Sequence, residues 1–174
     1  MLRKKIALFE MVSNIASIIA GALFVLGAFM PWWGMVLKGI SIGGTSVSEG
    51  EKSVLNLFQF EMDGHILLKI AGGLILIAGV VLLVLGLFSI LEKKLINLAV
   101  IKIGASIAGI IGTLLALSSS ALKKEYEAIE EVLKIAPDIA VKLTPWGKIF
   151  SIIALVIVII ADIFCVISLV KRQR

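Results

Sequence analysis

One cysteine, Cys165, and one histidine, His65, are all that 174 residues offer of the two residue types most used for redox and metal chemistry. A lone cysteine excludes an intrachain disulfide, and the two together leave zinc, haem and Cys–His nucleophile chemistry almost without ligands. Also lacking are a phosphate-cradling glycine loop ahead of a helix, a Ser-His-Asp set and paired carboxylates facing a polar pocket. The chain therefore reads as a non-enzyme, with no metal and no cofactor. Charged residues are scarce too, at 17%, which is thin cover for a soluble domain of this size.

What fills the chain is apolar. Hydrophobic residues make up 60% and the mean hydropathy is +1.12, in long runs separated by short charged stretches, the layout of a protein whose solvent is a lipid bilayer. The net charge of +5 does not point to nucleic acid, because the basic residues cluster at the ends of apolar runs, as membrane-edge charges do. Arg3, Lys4 and Lys5 ahead of an apolar stretch resemble a signal peptide. That stretch runs to about Met30, longer than a signal core, and no small-x-small cleavage site follows it. It is expected to remain as a first span.

A hydrocarbon core of about 30 Å needs roughly 20 apolar helical residues. Four stretches qualify, at about 11–30, 65–91, 95–120 and 146–170, joined by outer loops 31–64 and 121–145 in a single membrane domain, 1–174. The fold class expected is an all-α integral membrane protein, a four-transmembrane-helix bundle. Trp32 and Trp33 after Pro31, and Trp146 after Thr144-Pro145, suit the headgroup level as interface anchors, with Thr144 as N-cap and Pro145 in the first turn. Three short, strongly basic segments fall on one side of such a bundle: Arg3, Lys4 and Lys5; Lys93 and Lys94; Lys171, Arg172 and Arg174. That side is expected to be the cytoplasm, with both termini there in a multi-pass cell-membrane protein. The opposite connections interleave lysines with acids, among them Glu49, Glu51, Glu130 and Glu131.

In the first outer loop, apolar stretches flank Gly43-Gly44, which suits the positive φ angles of a tight turn, so a small β-hairpin is expected there. The continuation over 54–62 fits an interfacial helix or a further strand equally. In the second loop, Leu122, Tyr126, Ile129 and Leu133 recur at helical spacing opposite a charged face. Nothing breaks the pattern before Pro137, so the third helix is expected to extend beyond the membrane, about 40 residues and about 60 Å long. No tandem or inverted repeat is evident, which weakens transporter readings built on repeats.

Lipid tails are as apolar as leucine, so small residues mark where helices touch. Gly104, Ala108 and Gly112 make such a stripe on the third span, which is expected to be the most crowded. Gly72, Gly79 and Gly86 place glycine on one seam of the second every two turns. Either stripe serves intramolecular packing or, alternatively, dimerisation.

Charged groups inside a span call for a partner or a function. Lys102 lies eight residues inward from Lys94, Asp162 nine inward from Lys171 and Asn14 nine inward from Lys5, all roughly 12 to 14 Å below one surface at about 1.5 Å per residue. A Lys102–Asp162 ion pair is expected, with Asn14 as hydrogen-bond partner and Ser106 one turn further along. It either fixes the register of three helices or forms a proton or cation relay, and the scarcity of ionisable groups in the outer half argues against a pump. Lys69 is expected to snorkel to the outer headgroups. Glu10 is read as shallow, His65 as a solvated loop residue and Cys165 as a buried small hydrophobe rather than a palmitoylation site. Asn56 begins Asn-Leu-Phe and is no glycosylation acceptor.

The junction Pro31-Trp32-Trp33-Gly34, the turn at Gly43-Gly44 and the overlong third helix together resemble the claudin-type tetraspans. That resemblance implies a small β-sheet in a tryptophan-bearing first outer loop and a projecting third helix; this loop holds no cysteine, where that family has a pair. The segment Phe29-Met30-Pro31-Trp32-Trp33 with its Gly/Ser-rich continuation is more closely similar to small prokaryotic four-span proteins of uncharacterised function. Abundant Ile, Leu, Val, Lys and Glu with few Gln and Asn is a composition associated with thermophiles. The expected function is a structural or interaction module acting through its outer loops, as a homo-oligomer or with a partner membrane protein. The alternatives are a small transporter or ion-conducting oligomer using Asp162 and Lys102, and an accessory subunit of a larger membrane complex.

Overall fold

The computed structural model of the chain describes residues 2–37, 41–42, 45–46, 52–59, 66–91, 96–135 and 140–173. Among these described residues five helices form: α1 (Leu2–Phe29), α2 (Ile66–Leu91), α3 (Ile96–Ser118), α4 (Ser120–Ile135) and α5 (Trp146–Gln173). Four of them contain stretches long and apolar enough to cross a bilayer, at Ile6–Phe29, Ile66–Leu91, Leu98–Ser118 and Trp146–Lys171. The first helix starts well before the expected 11, because Leu2 to Glu10 contains no glycine or proline to stop it.

These four make the bundle. α1 packs along both α2 and α5, α2 along α3, and α3 meets α5 only lightly. The chain alternates direction, so both termini share one end, here the terminal end, and the two long connections share the other, the loop end. The centre is closed by Phe24, Ile75, Leu82 and Val158, all fully buried, while Ile77, Val100 and Ile163 on the outward faces are more than half exposed. Such an apolar exterior is what a lipid-facing surface requires.

The backbones of α1 and α2 approach closely. A Cβ built on Gly21 would sit 2.7 Å from the Gly79 carbonyl oxygen, and one on Gly79 would sit 2.9 Å from that of Gly21, so only glycine fits at either position. Gly86 lies against Ile18 and the Asn14 carbonyl, whereas Gly72 receives Leu57 and Phe58 from the first outer loop. The expected stripe on α3 divides. Gly112 packs against Ala71, but Gly104 has nothing within 4 Å of its Cβ position and Ala108 is only half-buried. Four-residue steps drift by about 40° each around a helix, and the buried face of α3 follows Lys102, Ser106, Gly109, Thr113 and Ala116 instead.

At the loop end, β1 (Trp33–Leu37) is the central strand of an antiparallel sheet ordered β4-β1-β5, with β4 at Lys52–Leu55 and β5 at Ala140–Lys142. Gly34 pairs with Val54, and Val36 with Lys52 on one side and Val141 on the other. Strands β2 (Ser41–Ile42) and β3 (Thr45–Ser46) pair antiparallel as a second sheet. The expected turn residues Gly43 and Gly44 lie outside the described residues, as do His65, Lys93, Lys94 and Pro137. Of the ambiguous stretch 54–62, Val54 and Leu55 are strand. Asn56–Gln59 is a turn in which Asn56 Oδ1 accepts the Phe58 N–H at 3.0 Å and Gln59 Oε1 accepts that of Asn56 at 3.1 Å.

The long third helix is not continuous. α3 ends at Ser118, and α4 starts at Ser120 and packs on β5 and β1 rather than projecting away from them. Three consecutive serines explain the break, since their hydroxyls compete for backbone partners. Ser118 Oγ donates to the Leu115 carbonyl at 3.2 Å, the Ser119 N–H turns back to Ala116, and the Ser119 carbonyl accepts the Lys123 N–H to open α4. The apolar side of α4 then docks, with Leu122 2% exposed.

Candidate functional site

Two places gather polar or aromatic side chains. Near the terminal end, Asn14 on α1, Lys102 on α3 and Asp162 on α5 come to one level of the bundle. Lys102 is 4% exposed, and its Nζ donates to Asn14 Oδ1 at 2.8 Å. Asp162 is bound by Ser106, whose Oγ lies 3.0 Å from Asp162 Oδ1 and 3.0 Å from the Lys102 carbonyl oxygen. The expected direct Lys102–Asp162 ion pair is therefore replaced by two separate hydrogen bonds. The physical reason is that α3 and α5 pack only lightly, and the long lysine side chain swings toward α1 while the short serine bridges to α5.

Beside this cluster is a partly open cavity of about 540 Å³ bounded by α1, α2, α3 and α5. Lys102, Glu10, Asn14, Ser13, Ser89 and Ser168 supply its polar wall, and Ala7, Met11, Ile90 and Leu169 its apolar one. Ser13 is 2% exposed, and its Oγ has no hydrogen-bond partner, only the weakly bonding thiol of Cys165 beside it. Ser168 Oγ donates to the Cys165 carbonyl at 2.8 Å. Above the rim, the Lys171 ammonium sits 4.5 Å from the Phe9 ring centroid and Phe9 stacks on Phe164 at 5.7 Å. Sequence reasoning missed Ser13, Ser89 and Ser168. Counting inward from the basic ends, as located Lys102 and Asp162, would have found them.

The loop end is built around Trp32. Rather than anchoring at an interface, Trp32 is fully buried and Trp33 is 9% exposed. The indole Nε1 of Trp32 donates to the Gly27 carbonyl at 2.7 Å, and its own carbonyl accepts Tyr126 Oη at 2.6 Å. A tryptophan with both polar groups bonded within the protein is free to sit in its core. Gly147, one residue into α5, makes room: a Cβ there would clash with the Trp32 ring, and its N–H donates to Pro31 O at 2.9 Å. That bond satisfies one of the orphan donors at the start of α5, and the first helical bond is donated by the Ile149 N–H to the Pro145 carbonyl, one residue later than a Thr144 cap implies. Trp146 does face outward, 49% exposed, stacked on Phe150 at 5.7 Å. Lys148 Nζ lies 5.1 Å from the Tyr126 ring centroid, and burial pushes the Tyr126 phenol above its ordinary pKa. Lys69 is exposed and Cys165 is a buried free thiol.

Compared with known proteins, the chain matches no family model, and no curated protein matches it.

Proposed function

We propose that this chain is a non-enzymatic, multi-pass cell-membrane protein with both termini in the cytoplasm, and that its loop end is a rigid outward platform for self-association or for a partner subunit. The observation that supports this reading is the sheet that draws β1 and β4 from the first connection and β5 from the second, held to the helix ends by Trp32 and Tyr126. Connections that served only to link helices would need no shared fold, whereas a binding surface gains affinity from being ordered in advance. The β2–β3 pair, Ser41–Ile42 with Thr45–Ser46, lies in the same first connection and belongs to that platform. Asn14, Lys102, Ser106 and Asp162 are read as the lock that sets helix register.

Cross-linking in intact membranes tests the proposal. The parent protein should give a defined oligomer or partner adduct, and a variant lacking residues 39–48 should lose it while still inserting. Assembly unaffected by that deletion contradicts the platform.

A further inference from the structure

We infer that the cavity at the terminal end binds the anionic headgroup of a membrane phospholipid, with Lys102 as its counter-charge and the acyl chains leaving over the apolar rim. An ammonium carries three N–H donors. Among the described residues, Lys102 makes one hydrogen bond, to Asn14, so donors remain on the cation of a residue that is 4% exposed. The carboxylate of Asp162 is already held by Ser106. Glu10, at the cavity wall, has interactions of its own. Ser13, whose hydroxyl is buried beside the Cys165 thiol, belongs to the same wall.

A buried cation with donors to spare on one wall of a cavity matches the phosphate oxyanion, which accepts from it. The other wall favours a lipid over a free anion. It is hydrocarbon, and Met11 and Ile90 on it are each 51% exposed, so a ligand with chains covers surface that inorganic phosphate leaves bare. Basic pockets between spans on the cytoplasmic side are where anionic headgroups are received in general. About 540 Å³ admits a phosphoglycerol group and the start of its chains. The inference rests on the membrane part of the proposed function and not on its platform, so the variant lacking residues 39–48 should bind lipid as the parent does.

Native mass spectrometry of the detergent-solubilised chain, given equal phosphatidylglycerol and phosphatidylcholine of the same acyl chains, reads the preference. The parent should retain the anionic lipid about tenfold over the zwitterionic one: both offer the phosphate oxyanion, but the choline of the zwitterionic lipid brings a second cation beside the buried Lys102 ammonium. Lys102→Gln should bring the ratio close to one and Lys102→Arg should keep it. Ser89→Leu fills the cavity without touching the Lys102–Asn14 bond and should also abolish retention; it decides the matter if Lys102→Gln fails to fold by circular dichroism. Equal retention of both lipids by the parent, a preference that survives Ser89→Leu, or uptake of inorganic phosphate without lipid preference overturns the inference.

Discussion

Lys102 is a buried cation in the bundle, 4% exposed, and its hydrogen bond goes to Asn14. Removing that acceptor leaves a buried ammonium without its hydrogen bond, whereas removing the ammonium removes the desolvated charge itself. Asn14→Leu should therefore destabilise by about 2 to 4 kcal/mol and Lys102→Met by less, with the double variant more stable than Asn14→Leu alone. Denaturant titration of the parent, the two single variants and the double variant in one detergent checks the order; equal losses for both single changes would place the charge in a solvated site. Tyr126 offers a second case. Tyr126→Phe deletes the 2.6 Å bond to the Trp32 carbonyl and should cost about 1 to 2 kcal/mol, seen as faster amide exchange in α4 with the four long helices unchanged. Because burial raises the phenol's pKa, the contribution of this contact is complete below the ordinary tyrosine pKa and is lost as pH rises through the raised one. The Phe variant should lack that alkaline loss.

Among elements, the glycines separate contact from composition. Gly79→Ala puts a methyl group 2.9 Å from the Gly21 carbonyl and should force α1 and α2 apart at about 1 to 3 kcal/mol. Gly104→Ala, with nothing within 4 Å, should be neutral or stabilise by up to about 1 kcal/mol through helix propensity. Both are read by the same unfolding assay, and a damaging Gly104→Ala would mean that α3 is covered by something outside the single chain. Apolar periodicity and length made the four long helices legible, to within a few residues at most ends, because one energetic term decides them. The end of α3 was not legible. Apolar spacing continues from Leu115 through Leu122 and Tyr126, and only the local competition of Ser118, Ser119 and Ser120 for backbone partners divides it. Strand β5 was hidden for a related reason, since a three-residue strand has no period to detect and exists only because β1 offers it an edge.

Across the whole molecule, the depth argument brought Asn14, Lys102 and Asp162 to one level from chain counting alone. It could not assign which pairs bond, because that depends on how closely α3 approaches α5. Trp32 and Trp33 failed in the opposite direction: residue type suggested an interface, and the folding of two distant connections over Trp32 buried it. Both lessons concern contacts between segments far apart in sequence, which composition does not encode. The terminal end, with its cavity and basic flanks, and the loop end, with its sheet and docked α4, are chemically unlike, and the proposed roles require them to face opposite sides of a bilayer. Membrane orientation is thus the claim on which the platform and the lipid site both depend. In intact cells, a variant with Cys165 replaced and a single new cysteine at Ser46 should react with a membrane-impermeant maleimide, and one with the new cysteine at Gln173 should react only after permeabilisation. Labelling of the Gln173 position from outside, with the Ser46 position protected, would contradict the account.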